Sequence, residues 1–190
     1  MAVYKDILKS QKKPLIVDLG ANSGLASLYF SRIFPNCKIY AIEPDKNNFE
    51  FAKSRLSGIQ NVEIINAGIS CEDGKGFISN PSAMNWAFRT EMFAEGTLHM
   101  ISMNTLLDTI RADDEVPFIV KIDIEGFESN LFSKSTEWVD SFPLLIIELH
   151  DWMLPGEANS KNFLKCISSL HRDFVFRSEN VFSIKNNLLP

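Results

Sequence analysis

With 190 residues, 45% of them hydrophobic, the chain carries apolar material for one substantial core and shows no linker or repeat that would divide it. A net charge of −5 leaves no basic footprint for nucleic acid or an anionic membrane surface. The odd, scattered cysteines Cys37, Cys71 and Cys166, with no C-x-x-C, argue against a disulfide framework or a zinc knuckle. Residues 1–13 hold no apolar run of signal-peptide or membrane-span length, so a soluble chain in a reducing cytoplasm is expected.

Tyr4, Ile7 and Leu8 fall at i, i+3 and i+4 and predict a short amphipathic helix over 3–10. Leu15-Ile16-Val17 suit a buried strand, and the turn after them runs into a helix. Its stripe Leu25, Leu28, Tyr29 and Ile33 is expected to face the core until Pro35 breaks it. Residues 37–42 read as a second strand, 46–56 as a helix closing near Gly58, and 62–66 as a third strand. Strands alternating with helices imply parallel pairing with right-handed crossovers.

From Glu72 the periodicity breaks. Segments 76–79 and 98–103 look like a hairpin pair around an irregular stretch, 80–96, containing Trp86, Phe88 and Phe93. A loop of that length is expected to be a substrate-recognition lid or an insertion docked on the core. Residues 104–110 predict a helix capped by Ser102 or Asn104. Strands are expected at 118–122 and 144–149, then a helical stripe of Phe163, Cys166, Ile167 and Leu170, and a closing hairpin of 174–177 with 181–185. The whole is expected to be a single domain over 1–190, with an insertion at about 74–103.

The chemistry lies at the strand ends. A dinucleotide turn wants G-x-G-x-x-G, so that backbone can approach a pyrophosphate at the helix N-terminus. Here Gly20 opens the turn, but Asn22 and Leu25 stand at the second and third glycine positions. Asp18 adds a negative charge that opposes phosphate and favours a ligand with ammonium or sulfonium charge, as in S-adenosylmethionine. Glu43, about 20 residues beyond the turn, is placed to accept both hydroxyls of a ribose. Lys121, Asp123, Glu125 and Glu128 crowd the end of the fourth strand, and alternation would put the first three on one side. Such density calls for Lys121 pairing, a cationic ligand or a metal.

Val17-Asp18-Leu19-Gly20-Ala21-Asn22-Ser23-Gly24, Ala41-Ile42-Glu43-Pro44-Asp45, Asn66-Ala67-Gly68-Ile69-Ser70, Lys121-Ile122-Asp123-Ile124-Glu125-Gly126-Phe127-Glu128 and Ile146-Ile147-Glu148 occur in that order. Together they resemble the FkbM family of S-adenosylmethionine-dependent methyltransferases. The resemblance implies a Rossmann-like class I methyltransferase α/β fold: a mostly parallel seven-stranded sheet, helices on both faces and a C-terminal antiparallel hairpin. It implies S-adenosylmethionine as cofactor and O-methylation of a hydroxyl on a small molecule or glycan, with no nucleic-acid or membrane partner. Asp18, Gly20, Ala21, Asn22 and Gly24 would hold the amino-acid end of the cofactor, Glu43 and Pro44 the ribose, and Asn66 and Ala67 the adenine. Asp123 also borders this site.

His150, just past the fifth strand, is the first choice of general base because an imidazole titrates near neutrality. Asp123 would orient it or take the proton itself. A divalent metal remains open, with Asp123 and Glu148 its foremost ligands and Glu125 and His150 as further donors. The alternatives are an NAD-dependent Rossmann oxidoreductase, which the missing glycines disfavour, and a non-catalytic cofactor-binding partner subunit. The acceptor and the oligomeric state stay open.

Overall fold

The computed structural model describes residues 2–78, 90–92 and 95–186. Helix α1 (Ala2–Lys9) leads into β1 (Lys13–Leu19), α2 (Leu25–Ile33), β2 (Lys38–Ile42), α3 (Lys46–Arg55) and β3 (Val62–Ile65). Short strands β4 (Gly68–Ser70), β5 (Gly74–Ile78), β6 (Thr90–Met92) and β7 (Leu98–Ser102) follow, then α4 (Met103–Ile110) and β8 (Glu115–Ile122). The chain closes with α5 (Glu128–Leu131), β9 (Leu144–Glu148), α6 (Lys161–Ser168), β10 (Arg172–Arg177) and β11 (Asn180–Lys185).

The main sheet has seven strands in the order β10-β11-β9-β8-β1-β2-β3. β9, β8, β1, β2 and β3 are parallel, and β11 and β10 run antiparallel at one edge. The chain lays β2 and β3 on one side of β1, and β8 and β9 on the other. Strand order therefore reverses between β1 and β8, and in an open α/β sheet the crevice beyond the carboxyl ends at such a point is where ligands bind. The long 98–103 segment divides into β7 and the first residue of α4, whose cap is Ser102, with its hydroxyl accepting the Thr105 N–H at 3.2 Å. β7 joins β4, β5 and β6 in a second sheet of order β4-β7-β5-β6. The lid expectation for Trp86, Phe88 and Phe93 lies outside the described residues.

Both faces of β1 are covered, as a central parallel strand requires. Leu15, Val17 and Leu19 join the larger apolar cluster with Leu106, Val120, Leu145, Phe142 and Phe163, whereas Ile16 packs on the other face with Phe30, Ile39 and Phe118. The α2 expectation is corrected. Leu25, Tyr29 and Ile33 are exposed, and the helix turns Ser27, Phe30 and Ser31 to the sheet. Ser27 is drawn inward by chemistry that hydropathy does not register: its hydroxyl donates to buried Asp18 at 2.6 Å.

Candidate active site

Gly20 sits where β1 and β8 part. Its φ is +74°, and a Cβ there would lie 1.7 Å from the Asp123 carbonyl oxygen, so only glycine lets the two strand ends close. Asp123 N–H in turn donates to the Leu19 carbonyl at 3.0 Å. Asn22 takes a left-handed φ of 49°, which asparagine tolerates better than most residues.

The turn's amides are already committed. Gly20 N–H and Ala21 N–H both donate to the Ile42 carbonyl at 3.0 and 2.9 Å, and Gly24 N–H donates to Ala21 at 2.8 Å. Asn22 N–H donates to Glu43 Oε2 at 2.7 Å, while the other Glu43 oxygen accepts from Asp45 N–H at 2.9 Å. Buried, and only partly compensated by those two amides, the Glu43 carboxyl is pushed up to about 7. A carboxylate thus stands where a dinucleotide turn would present free N–H groups to phosphate.

A cleft opens here, between the turn after β1, the end of β2 and the segment after β8. Its lining includes Gly20, Asn22, Glu43, Pro44, Ala67 and Asp123, all sequence candidates. Gly68, Ile69, Thr90, Ile124 and Glu125 also line it. Of these only Thr90 stood outside the quoted motifs: it comes from β6, three residues long, in a sheet that periodicity did not foresee.

Four cofactor candidates stand outside this lining, among them Ala21, which is buried in the turn. Asp18 is fully buried and does not line the cleft. Register pairs it with Lys121 on the adjacent strand, so Lys121 Nζ lies 3.5 Å from Oδ1, and Oδ1 has no hydrogen-bond donor. Asp18 therefore lies beneath the turn, out of contact with the cleft. Asn66 is exposed, and its amide donates to the Glu43 and Pro44 carbonyls at 2.8 and 3.1 Å, tying the β2 and β3 ends together outside the lining. Gly24 packs against Ala52 and Leu56 of the next βα unit.

At the other end of the cleft the alternation expected for Lys121, Asp123 and Glu125 stops with β8 at Ile122. Glu125 has a φ of 54° and Gly126 of 93°, so a left-handed turn, and not strand pleat, brings Glu125 to the cleft. His150 is 1% exposed and lies behind these carboxylates. Its Nδ1 meets Glu128 Oε1 at 2.8 Å, and Glu128, itself fully buried, also accepts from the Asn159 side-chain amide. Nε2 faces Glu148 at 3.5 Å, Glu125 at 3.6 Å and Asp123 at 3.7 Å.

Burial alone would lower the His150 pKa, but the hydrogen bond and charge of Glu128, with Glu125 and Asp123, outweigh it and hold it above the ordinary value. Burial, reinforced by the neighbouring carboxylates, pushes Glu125 up to about 7, and Glu148 is also raised. His150, the expected general base, is thus enclosed and outside the cleft lining, with Asp123 and Glu125 between its ring and the cleft. Asn159 is the residue that sequence reasoning passed over, and Glu128, counted in the acidic cluster, had been given no link to His150.

A seven-stranded sheet in this order, with a carboxylate at the end of β2 and a crevice at the reversal, defines the class I methyltransferase fold. Solved structures share it: WbdD in complex with a kinase inhibitor at TM-score 0.57, 9% identity, 97% of this chain and 39% of that one. TomG, an O-methyltransferase from Streptomyces achromogenes crystallised with S-adenosylmethionine, matches at TM-score 0.53 and 12% identity, covering 97% and 79%.

The chain belongs to the FkbM methyltransferase domain family, whose model matches residues 18–177. Hexuronic acid methyltransferase AglP of Haloferax volcanii is 23% identical over 152 residues, 79% of this chain and 62% of that protein. Methyltransferase sdnD of Sordaria araneosa is 36% identical over 72 residues, 36% of this chain and 28% of that protein. The chain thus spans less than two thirds of either curated relative. Among the described residues no helix is long and apolar enough to cross a membrane.

Proposed function

We propose that the chain transfers a methyl group from S-adenosylmethionine to a hydroxyl of a small molecule or glycan. The observation that carries this reading is Glu43: its carboxylate occupies the Asn22 amide and borders the cleft, which suits a ribose diol and repels bridged phosphates. Gly20, Ala21, Asn22 and Gly24 build the turn for the amino-acid end, Glu43 and Pro44 meet the ribose, and Ala67 with Gly68 and Ile69 covers the adenine. Asp18 contributes negative potential beneath, and Asn66 holds the two loops in register. The names of AglP and TomG, a hexuronic acid methyltransferase and an O-methyltransferase, support the acceptor class.

When bound, the cofactor supplies a methyl group already activated on a sulfonium. The chain has to align the acceptor and take its proton. Asp123 lines the cleft and receives that proton, while Lys121 Nζ at 3.1 Å fixes its other oxygen. His150 is a positioning residue, holding the acidic wall in place from behind.

Calorimetry with S-adenosylmethionine and with NADH, followed by mass spectrometry of hydroxylated acceptors including uronic acids, tests the reading. Binding of S-adenosylmethionine with transfer of one methyl group is expected, and Asp123→Asn should lower turnover far more than cofactor affinity. Preference for NADH would sink the assignment, and cofactor binding without transfer to any hydroxyl acceptor would leave a non-catalytic module.

A further inference from the structure

We infer that Asp123, Glu148 and His150 hold a divalent cation at the acceptor end of the cleft, with Glu125 as a fourth donor. The inference deepens the methyl-transfer reading and rests on it for its chemical purpose, not for its geometry.

The decisive atom is His150 Nε2. With the ring 1% exposed and Nδ1 engaged by Glu128, Nε2 is the ring's remaining polar atom, and it is aimed at carboxylate oxygens of three residues. They stand 3.5, 3.6 and 3.7 Å away, outside the roughly 2.7–3.2 Å of an N–H···O bond. Hydrogen bonding therefore does not account for the arrangement. With a proton on Nε2, the ring and Lys121 bring two positive charges to the four carboxylates of Asp123, Glu125, Glu128 and Glu148; a divalent ion in place of that proton brings one more.

A metal ion supplies that charge with the right spacing. Asp123, Glu148 and His150 each offer one donor atom, all within 4.8 Å of one another. An octahedral ion with bonds of about 2.1 Å sets neighbouring donors about 3 Å and opposite donors about 4.2 Å apart, so contraction of the set by roughly half an ångström to an ångström closes it. The surroundings are those of a ligand sphere. Ligating histidines donate their second nitrogen to a carboxylate, here Glu128, which Asn159 holds. Lys121 engages Asp123 Oδ2 and leaves Oδ1 to face His150. One imidazole with several carboxylates suits a first-row ion such as Mn²⁺; with Asp123 Oδ1 then a ligand and no longer the proton acceptor, the ion's charge would acidify the acceptor hydroxyl so that its proton passes to water.

The test uses the full chain after exhaustive chelation, titrated with MnCl₂ while electron paramagnetic resonance reports free Mn²⁺, in parallel with S-adenosylhomocysteine calorimetry in EDTA. The expected result is one Mn²⁺ per chain, with Glu148→Gln weakening it at least tenfold and Asn159→Ala weakening it about tenfold through the outer shell. Asp123→Asn serves as a second ligand variant should Glu148→Gln fold poorly, melting curves deciding which is used. Mn²⁺ remaining free in the wild type, or binding unchanged in the folded ligand variant, overturns the site and assigns the positive charge to a proton on Nε2. S-adenosylhomocysteine binding without Mn²⁺ binding rejects the metal alone. Mn²⁺ binding without S-adenosylhomocysteine rejects the cofactor reading alone.

Discussion

Replacing Glu43 by glutamine is the most informative single perturbation of the cofactor half of the cleft. The carboxylate accepts two backbone N–H groups, from Asn22 at 2.7 Å and Asp45 at 2.9 Å. The amide can accept only one and turns an NH₂ against the other. A hydrogen bond to a charged group is worth about 1.5–3 kcal/mol, so cofactor affinity should fall about tenfold or more when the ribose loses its anionic partner.

The pH dependence follows from the burial that pushes Glu43 up to about 7. If the diol binds the ionised form, affinity for S-adenosylhomocysteine should rise about tenfold between pH 6 and pH 8 in the wild type and stay flat in Glu43→Gln. Stability moves in the opposite sense. A carboxyl whose folded pKa lies above its unfolded one stabilises the fold fully below the unfolded value, and that contribution is lost as pH rises through about 7. The loss amounts to about 3 kcal/mol. Calorimetry across this range and urea melts on both proteins read the two effects. Equal affinities at pH 8, or a wild-type affinity indifferent to pH, would refute the reasoning.

Gly20→Ala should destabilise the fold by more than about 2 kcal/mol, since a left-handed backbone and the Asp123 carbonyl at 1.7 Å both reject a Cβ; denaturant midpoints measure it. Glu128→Ala strips His150 and Asn159 of a shared buried partner and should cost about 3–5 kcal/mol, seen as a lower Tm. Tyr29→Ser on exposed α2 should stay within about 0.5 kcal/mol of wild type, while Phe30→Ala beside it should cost about 3–5 kcal/mol. Comparable losses in both would restore the Leu25, Tyr29, Ile33 stripe to the core.

The order of the main-sheet strands and several residues that line the cleft, Gly20, Asn22, Glu43, Pro44, Ala67 and Asp123, were legible in the sequence. Apolar strands broken by Gly20, Pro44 and Gly126, an acid at the end of β2 and helical periods between strands are local features, and each is written in a few consecutive residues. Their parallel arrangement follows because βα units leave little other choice.

What lay beyond local pattern was decided by packing. Periodicity counts apolar residues and is blind to a buried hydroxyl, so Ser27, bonded to Asp18, reversed the expected face of α2. Alternation fixes the side of a strand but not the neighbour across it, and only register with Lys121 put Asp18 beneath the turn instead of in the cleft. The acidic wall is the clearest case. Asp123, Glu125, Glu128, Glu148, His150 and Asn159 come from the ends of two strands and from the segments after them, and nothing in their sequence separation states that they meet around one imidazole nitrogen. Like charges gather there because the tertiary fold sets them side by side, and their distances, which no linear spacing encodes, define what that wall can hold.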